Sequence, residues 1–387
     1  LFWFIGMVTA VLAGLSLWIY RRNEKDDETV HVPGQLIVQF KKDTTKEQIA
    51  DIHRKHKCEM LHEDETMGFC ILQTKGPVKR VMKKYVNLQE VEYAEPNYRF
   101  TAFEVVPNDP FFRSYQYGPR LIQAPSAWEV TMSDPRFQIA VVDTGVNLIH
   151  PDFAGKLIPG YDFVDRDPSP EDLNGHGTHV AGIAAAVTDN GRGIAGTAPR
   201  AAILPVRVLD QNGGGTLDQV ASGIIYAANQ GAKVINLSLG APYGSNTLKG
   251  AVDYAWSKGA VIVAAAGNDG TNAPTYPAAY QIVIAVGSVD ANDRKSSFSN
   301  YGRWVDVAAP GSDILSTYNN GYYAYLSGTS MAAPHVAGVA ALLAAQGRSN
   351  AEISEIIRTT ADPITGTGLY WNYGRVNANR AVRVTTG

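Results

Sequence analysis

Ser330 sits in a run of small residues, Gly328-Thr329-Ser330-Met331-Ala332-Ala333-Pro334-His335, that leads into Val336-Ala337-Gly338-Val339-Ala340-Ala341-Leu342-Leu343. The second stretch reads as a buried helix. A serine at its N-terminus stands where main-chain N–H groups and the helix dipole favour negative charge, which suits a nucleophile whose reaction builds an oxyanion. Serine is also a common helix cap, so this residue alone is equally readable as structural. Two further segments supply partners. Gln138-Ile139-Ala140-Val141-Val142 is an apolar, β-branched run ending in Asp143-Thr144-Gly145, an acid and a turn glycine at the carboxyl end of a strand. Asn174-Gly175-His176-Gly177-Thr178-His179 opens a second small-residue helix over residues 180–186. Together these offer Ser330 as nucleophile, His176 as general base, and Asp143 to hold the imidazole in the right tautomer.

The remaining histidines of this region read as structural: His179 one turn beyond His176, His335 after the serine, and His150 in a His-Pro-Asp turn. A zinc site at His176 and His179 lacks the His-Glu-x-x-His spacing.

These residues need a scaffold that brings three distant segments together. From residue 109 onward, near-continuous apolar runs alternate with helical stretches. Ile203-Leu204-Pro205-Val206-Arg207-Val208 precedes a helix over 217–229, and Val234-Ile235-Asn236-Leu237-Ser238 one over 248–258. Val261-Ile262-Val263-Ala264-Ala265 and Ile282-Val283-Ile284-Ala285-Val286 are further strands. The pattern predicts an α/β fold, a doubly wound and mostly parallel sheet covered on both faces. Upstream, Gln35-Leu36-Ile37-Val38-Gln39-Phe40, a helix over 45–56, Phe69-Cys70-Ile71-Leu72, a basic helix over 78–86 and Val91-Glu92-Tyr93-Ala94 fit strand, helix, strand, strand, helix, strand, with the second strand unplaced. That order predicts a small ferredoxin-like α+β unit.

Charge marks the boundary between them. Residues 21–103 carry 15 basic and 14 acidic side chains, about a third of the segment, whereas residues 104–387 carry 19 and 23. The net charge of −3 argues against nucleic acid as a partner. Residues 1–20 carry no charge and are long and apolar enough for a signal sequence or a membrane anchor. Arg21-Arg22 directly after them would favour a cytoplasmic C-terminal side. Both cysteines, Cys58 and Cys70, lie upstream of the boundary, so the larger domain cannot rely on disulfides.

Four blocks, Val142-Asp143-Thr144-Gly145, His176-Gly177-Thr178-His179, Ala265-Ala266-Gly267-Asn268 and Gly328-Thr329-Ser330-Met331-Ala332, stand in the order found in subtilisin-family serine proteases. From about Gly34 to the C-terminus the chain resembles that family, and most of all its thermitase-like branch. The resemblance implies a serine endopeptidase that acts on proteins and peptides, with Asn268 and the Ser330 N–H as oxyanion donors. It implies substrate held as an extended strand between Gly213-Gly214-Gly215 and Ser238-Leu239-Gly240, with Ala265, Ala266 and Gly267 lining the pocket before the scissile bond. Small uncharged walls there favour large apolar or aromatic residues, and Asp269 at the rim some basic ones.

The resemblance also implies structural calcium. One candidate set is Asp162, Asp165, Asp167, Ser169 and Glu171. A second joins Asp109, Asp152 and the Asn190 side chain to the carbonyls of Val187, Arg192 and Ile194. A third takes the carbonyls of Ala278, Tyr280 and Val283 with Asp306. Residues 31–103 then correspond to a propeptide that serves as chaperone and inhibitor, and residues 104–387 to the peptidase domain. Cleavage is expected between Phe103 and Glu104, with Phe103 in the large pocket and Phe100 in the apolar one three residues upstream. Secretion of a monomeric enzyme is expected, or membrane attachment through residues 1–20. Among rivals, an aspartic protease would need a second Asp-Thr/Ser-Gly and an α/β-hydrolase a Gly-x-Ser-x-Gly. A catalytically inactive, subtilase-like binding protein is the non-enzymatic alternative.

Overall fold

The structure is a computed structural model that describes residues 31–64, 66–100 and 106–385. The expectations for residues 1–20 and for the Phe103–Glu104 bond lie outside those residues. Two compact units stand on either side of residues 101–105.

In the first unit, strands β1 (His31–Phe40), β2 (Cys58–Glu63), β3 (Phe69–Thr74) and β4 (Val91–Tyr98) form an antiparallel sheet in the order β2-β3-β1-β4. Helices α1 (Lys46–His56) and α2 (Val78–Tyr85) fill the two crossovers, giving the ferredoxin-like arrangement. Alternation sends Leu36, Val38, Phe40, Cys70 and Leu72 into one core with Val78, Val81 and Tyr85. Thr45 and Gln48 close α1 with a reciprocal capping box, and Lys57 ends it in the left-handed region. The strand that the sequence left unplaced is β2. All of its residues but Cys58 are exposed, so no alternation announces it.

In the second unit an eight-stranded sheet, with β12 (Gly374–Arg375) and β11 (Val307–Pro310) at one edge and β6 (Tyr161–Asp162) at the other, runs β12-β11-β10-β9-β8-β5-β7-β6, all neighbours parallel. Its centre is β5 (Gln138–Asp143), β7 (Ala202–Arg207), β8 (Val234–Leu237), β9 (Val261–Ala265) and β10 (Ile284–Val289). Strand β10 starts two residues later than its apolar run predicts, because Val283 turns back to bond Tyr280. Along β5, Ile139 and Val141 face one core while Ala140 and Val142 face the other. Helices α3 (His176–Ala185) and α6 (Thr329–Ala344) cover the first face, and α4 (Leu217–Asn229) and α5 (Asn246–Ser257) the second. Burial on both faces makes these strands uniformly apolar. The carboxyl end of β5 delivers Asp143 to the edge where the N-termini of α3 and α6 open.

Candidate active site

Asp143 ends β5 with its carboxylate fully buried. Its Oδ1 accepts from Thr144 N at 2.7 Å and from His176 Nδ1 at 2.7 Å. His176 is the first residue of α3, and Gly175 before it has φ 107°, a conformation that favours glycine. A side chain at Gly177 would strike the Gly145 carbonyl at 2.1 Å, so the helix passes close behind the acid. Burial pulls the His176 imidazole down, and the carboxylates of Asp143 and Asp172 more than offset it, so it titrates above its ordinary value. The bond to Asp143 leaves Nε2 as the free ring nitrogen.

Ser330 is the second residue of α6, in the first turn where main-chain N–H groups have no helical acceptor. Its Oγ donates to the Ser238 carbonyl at 3.1 Å and makes no hydrogen bond to His176 in this state. Pro334 explains a reciprocal contact. Four residues beyond Ser330 it has no N–H to give the Ser330 carbonyl, which accepts instead from Ser238 Oγ at 2.8 Å. Asn236 Nδ2 in turn holds Ser238 Oγ at 2.9 Å. A proline inside the helix thus ties the nucleophile to the Ser238-Leu239-Gly240 edge.

Asn268 follows β9. Its Oδ1 accepts from Thr329 N at 2.8 Å and Thr329 Oγ1 at 2.9 Å, which fixes the amide and leaves Nδ2 to point elsewhere. A Cβ at Gly328 would come within 3.3 Å of that Nδ2, so the glycine keeps its surroundings open. Asn300 stitches this segment in place. Its Oδ1 accepts from Asp269 N and Thr271 N, and its Nδ2 donates to the Ala266 carbonyl.

A cleft of about 670 Å³ opens beside His176 between Gly213-Gly214-Gly215 and Ser238-Leu239-Gly240, with Leu209, Leu248 and Tyr276 among its apolar walls. The Ala265 and Ala266 side chains do not line it. Each is buried in a core, on opposite sides of the strand end, and Gly267 does not line this cleft either. Alternation at a strand end sends neighbouring side chains apart.

The other histidines are structural, as expected. His179 Nε2 lies 3.0 Å from both the Ile314 and Ala324 carbonyls, and burial pulls it down to about 3. His335 bonds the Met331 carbonyl and is pulled by burial to about 4. His150 accepts from Asp152 N through Nδ1.

The three calcium sets differ in what they offer. Asp109 and Asp152 are both buried, and burial, then the Asp152 charge, pushes Asp109 above the usual carboxylate range. Asn190 Nδ2 donates to Asp152 Oδ1, and Ile194 N and Tyr323 Oη to Asp152 Oδ2, while Asp109 accepts from the N–H groups of Asp189 and Asn190. Two buried carboxylates bonded only to neutral donors fit a hard cation. Among the described residues no three His, Cys, Asp or Glu side chains converge, so a cation here would draw on Asn190 and on the carbonyls of Val187, Arg192 and Ile194.

In the acidic loop the repulsion expected of Asp162 and Asp165 is relieved by the protein itself. Arg207, buried at the end of β7, reaches Asp162 Oδ2 at 2.6 Å and Asp165 Oδ2 at 2.5 Å. Asp167 Oδ1 accepts from Ser169 N and Glu171 Oε2 from Leu148 N. At the third set Arg358 takes both oxygens of Asp306, at 3.0 and 3.2 Å, and approaches the Val283 carbonyl. A guanidinium therefore supplies the charge that the Ala278, Tyr280, Val283 and Asp306 reading gave to a metal. Both arginines lie far in sequence from the acids they meet, so the local pattern could not reveal them. The same holds for Asp172 on Thr144 and for Asn300 on Ala266, Asp269 and Thr271, whereas Asn236 meets Ser238 two residues on.

A model of the subtilase family matches residues 135–380, and one of the fervidolysin N-terminal prodomain matches residues 21–97. The chain is 54% identical over 362 residues to the thermophilic serine proteinase of Bacillus sp. (strain AK1), covering 93% of this chain and 90% of that one. It is 64% identical over 277 residues to thermitase of Thermoactinomyces vulgaris, covering 72% and 99%. A solved protease from Pseudoalteromonas arctica PAMC 21717 superposes with a TM-score of 0.66 at 36% identity, covering 71% of this chain and 98% of that chain.

Proposed function

The chain belongs to the subtilase family, as a serine endopeptidase carrying a fervidolysin-like prodomain, and from that premise we propose how it works. Ser330 Oγ leaves the Ser238 carbonyl, turns to His176 and attacks the scissile carbonyl as His176 Nε2 takes its proton. Asp143 holds the Nδ1–H and stabilises the imidazolium without taking the proton. Asn268 Nδ2 and Ser330 N donate to the oxyanion, and His176 then protonates the leaving amine. Water releases the acyl group by the same steps in reverse order of roles. The observation that carries this reading is the 2.7 Å pair of a buried Asp143 and His176 at the mouth of the cleft.

The substrate lies extended between residues 213–215 and 238–240, bound through main-chain hydrogen bonds. The residue before the scissile bond is large and apolar or aromatic. Calcium bound through Asp109, Asp152 and Asn190 stabilises the peptidase domain of residues 104–387. Residues 31–103 act as inhibitor and chaperone until the enzyme cuts between Phe103 and Glu104, and the enzyme is secreted.

Treating the self-processed protein with an organofluorophosphonate and weighing it tests both parts. One adduct on Ser330 and a chain beginning at Glu104 are expected. No adduct would turn the reading toward an inactive binding protein, and a start beyond Asp109 would remove a proposed calcium ligand.

A further inference from the structure

The turn that delivers His176 is built on a carboxylate that the reaction does not use. Asp172 is 3% exposed, and its five donors are all neutral. Oδ1 accepts from Thr144 Oγ1 at 2.9 Å, Asn174 N at 2.9 Å and Gly175 N at 2.8 Å. Oδ2 accepts from Thr178 N at 2.9 Å and Thr178 Oγ1 at 2.6 Å. The two other N–H groups of the turn also find side chains: His176 N donates to Asn174 Oδ1 at 3.1 Å and Gly177 N to Thr144 Oγ1 at 2.9 Å. Every main-chain N–H from Asn174 to Thr178 is therefore satisfied by a side chain, three of them by Asp172, where a helix start ordinarily leaves donors to water. Thr144 is the link to the other acid, since its N–H donates to Asp143 Oδ1 while its hydroxyl donates to Asp172.

We propose that Asp172 is the positioning residue of the catalytic pair: one buried carboxylate fixes the main chain that carries His176 and, through Thr144, the Asp143 oxygen to which His176 donates. This rests on the reading of Asp143, His176 and Ser330 as the triad. An amide could not replace it. Five donors converge on two acceptor oxygens, whereas asparagine has one such oxygen and would turn its NH2 toward donors.

The charge has its own consequence. The groups that act on the His176 ring are the carboxylates of Asp143 and Asp172; His179, one turn further on, stays neutral at working pH. Both carboxylates favour the imidazolium, so removing one lowers the pH at which the ring gives up its proton. Because the neutral ring is the base, activity then rises at lower pH.

The test compares Asp172→Asn, Thr144→Val and Thr144→Ser in the full chain after self-processing, with kcat and KM on a chromogenic peptide across pH and a melting curve for each. Asp172→Asn is expected to lower kcat roughly tenfold to a hundredfold, the range that misplacing a catalytic group by up to about 1 Å costs. KM should change little, and the acid limb of kcat/KM should move to lower pH. Thr144→Val should lower kcat without moving that limb, since the charge stays, and Thr144→Ser should regain the loss. A folded Asp172→Asn enzyme with the parent's kcat and acid limb overturns the proposal, as does a loss confined to KM. If Asp172→Asn does not fold, the threonine pair decides, and a Thr144→Val enzyme with the parent's kcat overturns it. Failure of the triad reading itself shows elsewhere, as an unlabelled Ser330 in the unsubstituted enzyme.

Discussion

The four-stranded sheet of the first unit and the eight-stranded sheet of the second bury their strands in opposite ways. Strands β1 and β3 alternate, with Leu36, Val38, Cys70 and Leu72 inside and Ile37 and Ile71 left partly open. The central strands of the large sheet are buried at nearly every position, and each face has a helical layer and a core of its own. Among the described residues one sheet has a single core of ten buried residues and stands near the size at which folding is marginal. The other packs a large core against each face of the sheet and can hold loops, buried charges and the candidate active site at its edge. The small unit spends its chain on a surface, the large one on a scaffold.

The largest effect expected from breaking this division is catalytic. Ser330→Ala should leave both units folded and the prodomain attached, because the scaffold does not need the hydroxyl. Turnover should fall on the order of a million-fold, and His176→Ala should match it, as triad members act as a unit; these are subtilisin's own magnitudes. Substantial proteolysis by purified Ser330→Ala protein would overturn the assignment.

A smaller effect compares the cores directly. Leu72→Ala in the first unit and Ile235→Ala in the second both remove a fully buried side chain, at a cost of about 2–5 kcal/mol. That is most of what a unit of the smaller size has, so Leu72→Ala should abolish its melting transition in a Ser330→Ala chain. Ile235→Ala should only lower that of the large unit. Equal shifts in calorimetry would mean that the two units do not differ in reserve.

The smallest concerns calcium, which should stabilise the large unit alone. At a hundredfold excess over Kd a ligand adds about 2.7 kcal/mol, so chelation should lower Tm by roughly 5 °C. Asp109→Asn should shrink that shift, whereas Asp306→Asn should leave it unchanged, since Arg358 already holds those oxygens. A chelator response lost in Asp306→Asn would return that set to the candidates.

The sequence alone determined the local facts: apolar runs that must be strands, the helix over 217–229, and an acid, a histidine and a serine each placed at the end of an element. Such features are legible because they depend on neighbours in the chain, through periodicity and capping. The β2 strand was not legible, because an exposed edge carries no hydrophobic pattern. Tertiary structure decided what depends on residues distant in sequence. Pro334 leaves the Ser330 carbonyl free, but only the fold brings Ser238 to it. Asp162 and Asp165 repel on paper, and only the register of β6 on β7 sets Arg207 between them. Asp172 reads as an ordinary turn acid until the fold lays Thr144 against it. Pairing across such distances is fixed by packing and hydrogen-bond satisfaction in three dimensions, for which a linear pattern holds no term.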